Sequence, residues 1–196
     1  MKNMIILVVA LISLARGATD AEEMNKACDT GNYKACVELG QMYRTGKGVM
    51  MNYAKAADLL LKACGGNHPE GCARLGEMYA LGQGVRTEHA TTEQLFLQSC
   101  EGGFFEGCTK LAEIYMLGRG VPQDIPKALE LYEKACDGKD PAGCGKLAGM
   151  YHYGRGVDQD TAKALELYEK ACTLKDSQSC FNFKRLKPKD ENETSE

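Results

Sequence analysis

The sequence is short of the residues from which most catalytic and metal sites are made. Among 196 residues it has three histidines, five prolines and no tryptophan. His68, His89 and His152 fall at different places in the pattern described below, with no paired spacing. That excludes a histidine-rich zinc site, and each reads as a solvated surface residue. Serine is scarce as well. Beyond residue 17 it occurs at Ser99, Ser177, Ser179 and Ser195, and none opens a Ser-x-x-Lys motif, in which a lysine one helical turn away serves a serine nucleophile. No Ser-Asp-Asn or Lys-Thr-Gly follows, and Arg44-Thr45-Gly46-Lys47 differs in order and context. A basic surplus is missing: 24 lysines and arginines face 27 acidic residues, a net charge of −3. That balance argues against nucleic acid or an anionic membrane as the main partner. After residue 15 no apolar run is long enough to cross a bilayer.

The one apolar run lies at the start. Lys2 precedes the stretch Met4 to Ala15, and Ala15-Arg16-Gly17 places small residues where a signal peptidase requires them. Residues 1–17 are therefore expected to be a cleaved secretory signal, with the mature chain opening at Ala18. Loss of Lys2 and Arg16 lowers the basic count from 24 to 22 against the same 27 acidic residues. A secreted or periplasmic location follows from that expectation.

Cysteine is what the chain has in abundance, ten in all. They fall as Cys28/Cys36, Cys64/Cys72, Cys100/Cys108, Cys136/Cys144 and Cys172/Cys180, eight apart within a pair, with each pair repeating at a fixed 36-residue interval. So regular a ladder is an internal repeat. Two cysteines that far apart in one helix would lie about 12 Å apart along its axis. A disulfide needs α carbons within about 7 Å. The chain must turn between them, and Gly65-Gly66-Asn67, Gly102-Gly103 and Gly138 with Asp140-Pro141 supply turn residues. One cysteine ends a helix, the next opens another, and the bond staples an αα-hairpin. An even count of patterned cysteines suits an oxidising compartment. Pairing across hairpins is the alternative, and zinc ligation is disfavoured because the spacing does not resemble a zinc site.

The helices can be placed from the same register. Thr19-Asp20-Ala21-Glu22 has the form of a capping box opening a first helix that runs to Cys28. First helices are predicted at about 53–64, 89–100, 125–136 and 161–172, with Asn52, Asp124 and Asp160 as N-caps. Ala128, Leu131, Tyr132 and Ala135 form the apolar stripe of a half-buried helix, repeated at Ala164, Leu167, Tyr168 and Ala171. Second helices are predicted from about Asn32 and at 69–81, 105–117, 141–153 and 177–186, with Pro69 and Pro141 in first turns. Each ends in a glycine loop, Gly46-Lys47-Gly48-Val49 and its three later copies. These loops lack the Gly-Lys-Ser/Thr ending of a phosphate cradle and read as turns that need positive φ. Gly40, Gly76, Ala112 and Ala148 would let helices approach closely, and Tyr43, Tyr79, Tyr115 and Tyr151 read as core rather than as a stacking platform. In the last repeat Lys184 and Lys187 replace the small residue and the tyrosine, which marks a polar terminal cap. Residues 188–196 carry no apolar anchor and are expected to be disordered.

The unit A-x(2)-L/Y-x(3)-A-C followed by C-x(2)-L-G/A-x(2)-Y-x(2)-G-x-G-V resembles the Sel1-like repeat, a relative of the tetratricopeptide repeat. With its cysteine pairs the chain is similar to the Helicobacter cysteine-rich proteins. The resemblance covers about residues 18–187 and implies an all-α fold, a right-handed α/α-superhelix of about five hairpins with one disulfide each. It also implies either a protein-interaction scaffold or the penicillin binding and slow β-lactam hydrolysis credited to that family.

No catalytic constellation assembles from the residues themselves. Glu130, Glu133, Glu166 and Glu169 read as a solvated face pairing with Lys134 and Lys170. Departures from the repeat are the better guide to function. Phe104-Phe105 stands in a turn where other repeats carry His68-Pro69, Asp140-Pro141 or Asp176-Ser177, and is a candidate partner contact. Glu88-His89-Ala90-Thr91-Thr92 lacks the Lys-Ala of its counterparts. Asn192, in Asp190-Glu191-Asn192-Glu193-Thr194, is a candidate site for bacterial N-glycosylation. The expected protein is an exported scaffold without a cofactor, binding a peptide or protein. A β-lactam or a cell-wall fragment is the alternative ligand.

Overall fold

The computed structural model describes residues 19–187. The predicted signal segment 1–17 and the tail with Asn192 lie outside the described residues. Ten helical segments follow in order: α1 (19–29), α2 (Tyr33–Thr45), α3 (Tyr53–Gly65), α4 (Pro69–Leu81), α5 (His89–Glu101), α6 (Glu106–Leu117), α7 (Ile125–Asp137), α8 (Pro141–Tyr153), α9 (Thr161–Thr173) and α10 (Ser177–Leu186). There is no strand among the described residues. The chain divides into two compact units, Met1–Phe104 and Phe105–Glu196. Each is an α-solenoid segment in which every helix packs on the next, α2 along α3 and α4 along α5 in one, α6 along α7 and α8 along α9 in the other.

Caps set most helix starts. The side chains of Asn32, Asn52, Asp124 and Asp160 accept from the backbone N–H three residues on, each contributing about 1 kcal/mol. Asp140 and Asp176 do the same for α8 and α10. Three starts lack a side-chain acceptor; at α4, after His68, Pro69 opens the helix and has no N–H to satisfy. At α5 the Thr91 and Thr92 hydroxyls instead donate back to Glu88, at 2.9 and 2.7 Å. At α6 the aromatic pair Phe104-Phe105 takes the place of a capping side chain.

Second helices end on left-handed glycines, Gly46, Gly82, Gly118 and Gly154, with φ of 71°, 64°, 64° and 64°. The loop then returns to the tyrosine ladder, since the N–H groups of Asn52, Asp124 and Asp160 donate to the carbonyls of Tyr43, Tyr115 and Tyr151. First helices end differently. Gly66 and Gly138 have ordinary negative φ, and the left-handed residue comes one position later, at Asn67, Lys139 and Lys175. Gly66 and Gly138 are required for space: a Cβ on the first would fall within the Tyr33 ring, and on the second within the Phe105 ring.

Small residues bring the paired helices together. A Cβ on Gly40 would lie 3.0 Å from Leu60, and one on Gly76 would lie 2.9 Å from Phe96. Leu39, Leu60, Leu75, Met78 and Leu111 are fully buried, each contributing about 2 kcal/mol of burial. Cys28–Cys36, Cys64–Cys72, Cys136–Cys144 and Cys172–Cys180 are bonded, with α carbons 4.8, 4.5, 4.4 and 4.5 Å apart. Cys100 and Cys108 are disulfide-bonded as well, and no described cysteine is free. At the far end Lys184 and Lys187 are exposed, as a terminal cap requires. No described helix is long and apolar enough to cross a membrane.

Candidate functional site

Along each unit the second helices lie side by side, α2 beside α4 and α6 beside α8. Charged side chains bridge α2 and α4. Arg44 donates from Nε to Gln41 at 2.8 Å and reaches Glu77 across the gap at 4.0 Å, while Arg74 holds Glu77 at 2.9 Å. Between α6 and α8 the crossing contact is instead Lys146 to Glu113, at 3.1 Å. Glu113 of α6 occupies the repeat position of Glu77, but on α8 that position is Gly149. The scaffold does not demand this glycine, because a Cβ there would meet only the Tyr168 hydroxyl, at an ordinary 3.7 Å.

What results is a groove of about 410 Å³, with Met116, Leu117, Met150 and Tyr153 on its walls and Arg119 and Arg155 at its edge. Tyr132, only 3% exposed, lines it from α7. Burial pushes the Tyr132 phenol above the usual range, and the Glu113 carboxylate adds to that, so it stays a neutral O–H donor. One repeat on, burial raises the ionisation of Tyr168 most, while the nearby Asn182 side chain lowers it. Lys146 stands at the position of Asn182, but it turns to Glu113 at 3.1 Å. Among the described residues the Tyr132 hydroxyl has no hydrogen-bond partner.

The residues singled out from the sequence fall mostly into the scaffold. Phe105 is half-buried against Gly138, and Phe104 is half-buried under the Arg74 guanidinium, 5.5 Å from its ring centre. In the tyrosine ladder, Tyr115 is buried and the others half-buried. The hydroxyls of Tyr43 and Tyr115 accept from Lys55 and Lys127 at 2.7 and 2.6 Å, with each ammonium also over the ring. Thr91 stands where these lysines recur, which removes the clamp from Tyr79.

Two expectations need correction. Only His89 is exposed; His68 and His152 are half-buried with Nδ1 shielded and unpartnered among the described residues. The His152 ring stands edge-on to Tyr153, 4.5 Å between ring centres. Lys170 pairs with Asp137 on the neighbouring helix at 3.8 Å, and Glu166 with Lys163, rather than the two with each other. Of the serines, Ser99 and Ser179 are buried, the former donating to the Phe104 carbonyl. Neither is open to an external carbonyl. No group of three or more potential metal ligands occurs among the described residues.

The Sel1 repeat matches residues 34–68, 69–104, 105–140 and 141–176. These units comprise α2 with α3, α4 with α5, α6 with α7 and α8 with α9. The repeat is thus phased on the glycine loop, and the stapled turn predicted within a repeat lies at the junction of two. Cys64–Cys72 and Cys136–Cys144 each tie one Sel1 unit to the next.

No curated protein matches the chain. Among solved structures it is similar to c5321, a protective antigen of uropathogenic Escherichia coli with an SLR fold, at 30% identity and a TM-score of 0.74. That match covers 85% of this chain and 36% of the antigen, so the chain spans about a third of the antigen's length. It is similar to Helicobacter pylori cysteine rich protein B at 30% identity and a TM-score of 0.56, over 67% of this chain and 95% of the other. A Sel1 repeat protein from Oxalobacter formigenes has the same fold, with 24% identity, a TM-score of 0.73 and coverage of 84% and 74%. The repeat match, the paired cysteines and the helical architecture agree: the chain belongs to the Sel1 repeat family.

Proposed function

We propose that the mature chain is an exported, disulfide-stapled scaffold that binds a peptide or protein surface. One observation carries this reading: large apolar side chains recur exposed at one repeat position where packing does not use them. Leu81, Leu117 and Tyr153, which close α4, α6 and α8, are 65%, 56% and 59% exposed. A single exposed leucine is ordinary, but repetition in register gives a ligand the same handle in successive units. Phe104 is a further contact point in this reading, whereas Phe105 is taken up by Gly138. Disulfides throughout the array support an oxidising compartment.

β-Lactam turnover rests on family resemblance, and the burial of Ser99 and Ser179 gives it no nucleophile there.

The test is a photo-crosslinker placed in turn at positions 81, 117 and 153, and at the exposed Leu61 as control, in the native host. A discrete partner crosslinked from at least one repeat position and not from the control supports the scaffold. No crosslink at any of them ends that reading. Mass analysis of the same material tests export, with a mature end at Ala18 expected. A C-terminal peptide at its bare mass, in a host that glycosylates, ends the proposal for Asn192.

A further inference from the structure

The groove between α6 and α8 differs in lining from the one beside α2, where Lys34, Lys47, Glu38 and Glu70 balance in charge, and its chemistry limits what would fill it. Three cationic side chains, Arg119, Lys146 and Arg155, line it with one carboxylate, Glu113, in a chain whose net charge is −3. Glu113 is already compensated by Lys146 at 3.1 Å and Lys110 at 3.8 Å. Arg119 and Arg155 are exposed, and neither forms an ion pair among the described residues, Arg155 lying over the Tyr153 ring at 5.4 Å. Tyr132 lines the groove from α7, the residue nearly buried and its hydroxyl without an acceptor among the described residues. The hydroxyl is not shielded from solvent, and a carboxylate entering the groove would gain a charge-assisted hydrogen bond by accepting from it. Gly149 contributes no side chain to the lining.

We propose that this groove binds a short acidic peptide segment, one carboxylate accepting from the Tyr132 hydroxyl, another held by Arg119 or Arg155, and an apolar side chain between them against Leu117 and Tyr153. This deepens the scaffold reading and rests on it. The two arginines occupy the same position in successive units, and neighbouring helices lie about 8–10 Å apart. An extended chain rises about 3.3 Å per residue, so carboxylates about three residues apart span the width of one helix pair. A peptide fits better than a long polyanion, because the acidic remainder of the chain repels extended negative charge.

The test uses the full-length oxidised chain and a fluorescein-labelled peptide with two glutamates three positions apart, flanking a leucine. Anisotropy reads the binding. Binding that weakens as salt is raised is expected, with none for the peptide in which glutamine replaces both glutamates. Tyr132→Phe should fold, since phenylalanine occupies that repeat position at Phe96, 3% exposed. It should weaken binding about tenfold, as expected for loss of one charge-assisted hydrogen bond. The double variant Arg119→Ala, Arg155→Ala should weaken it further. Equal binding of the glutamine peptide, unchanged binding by both variants, or binding of benzylpenicillin alone overturns the proposal. So does self-association of the chain that blocks the peptide. Crosslinks to a native partner from position 81 alone would leave the scaffold reading standing while ending this one.

Discussion

The ring of Phe105 occupies the space that a side chain on Gly138 would fill. Tyr33 stands in the same relation to Gly66, and Pro69 to Gly102, where a Cβ would come within 2.6 Å of the proline ring. The residue opening a second helix thus seats on the end of the next first helix. An alanine at Gly138 or Gly66 should cost about 1–3 kcal/mol, as other overpacked sites do. Gly65 has nothing within 4 Å of its would-be Cβ, so Gly65→Ala should be neutral or stabilising. Urea midpoints measure all three, and a tolerant Gly138 would mean that the ring is free to move aside.

The disulfides should behave as junctions. Each closes a short loop, valued at about 2.5 kcal/mol in the chain-entropy model. Because Cys64–Cys72 and Cys136–Cys144 join successive Sel1 units, reduction removes coupling between units as well as stability. The melting transition should fall and broaden. A transition that falls but stays equally sharp would place cooperativity in the noncovalent interfaces. Non-reducing peptide mapping checks the pairing, and a major Cys36–Cys64 species would refute it.

Lys139 and Lys175 hold φ of 63° and 72° at positions where Gly31 and Gly103 stand in other turns. A lysine in this left-handed region carries about 1–2 kcal/mol of steric cost. Glycine relieves it while gaining freedom in the unfolded chain. Lys139→Gly and Lys175→Gly are each expected to stabilise by up to about 1 kcal/mol, read from thermal or urea midpoints. A loss would show that the lysine side chains contribute contacts outweighing the backbone cost.

Burial raises the ionisation of Tyr132 and, with Tyr153 adding, of Tyr168. For such a group the stabilisation is complete below the unfolded value of about 10 and is lost as pH rises through the folded value. Stability should therefore fall above about pH 10, with these two phenols ionising last, together with unfolding. Ultraviolet titration of phenolate follows this directly. In Tyr132→Phe the late step should shrink, and an unchanged titration would contradict the burial.

Much of this architecture can be read from the chain because its determinants are local. The 36-residue cysteine ladder, the caps at Asn32, Asn52, Asp124 and Asp160, and the prolines opening α4 and α8 each report on a few neighbouring residues. The roles of Gly66 and Gly138 were hidden, since a glycine in a turn suggests positive φ while the real constraint is an aromatic ring from the preceding turn. The groove was hidden for the same kind of reason. It depends on Lys146 turning to Glu113 instead of serving Tyr132, a choice between two partners that spacing does not decide. The usable signal was a comparison by repeat position: Tyr132 with Lys146 against Tyr168 with Asn182, and Gly149 against Glu77 and Glu113.

The placement of the sulfur bridges also decides how the polypeptide comes apart when a protease cuts it. A single cleavage between Cys64 and Cys72, or between Cys136 and Cys144, leaves both fragments tethered through the bridge spanning the cut. A cleavage in the loops after Gly46 or Gly154 has no bridge across it, and the pieces are held only by packing. Exposed loop tips are where proteases cut most readily. In a protease-rich compartment, the lifetime of the molecule is therefore set at the glycine loops, where the Tyr43, Tyr115 and Tyr151 carbonyls pin the returning chain.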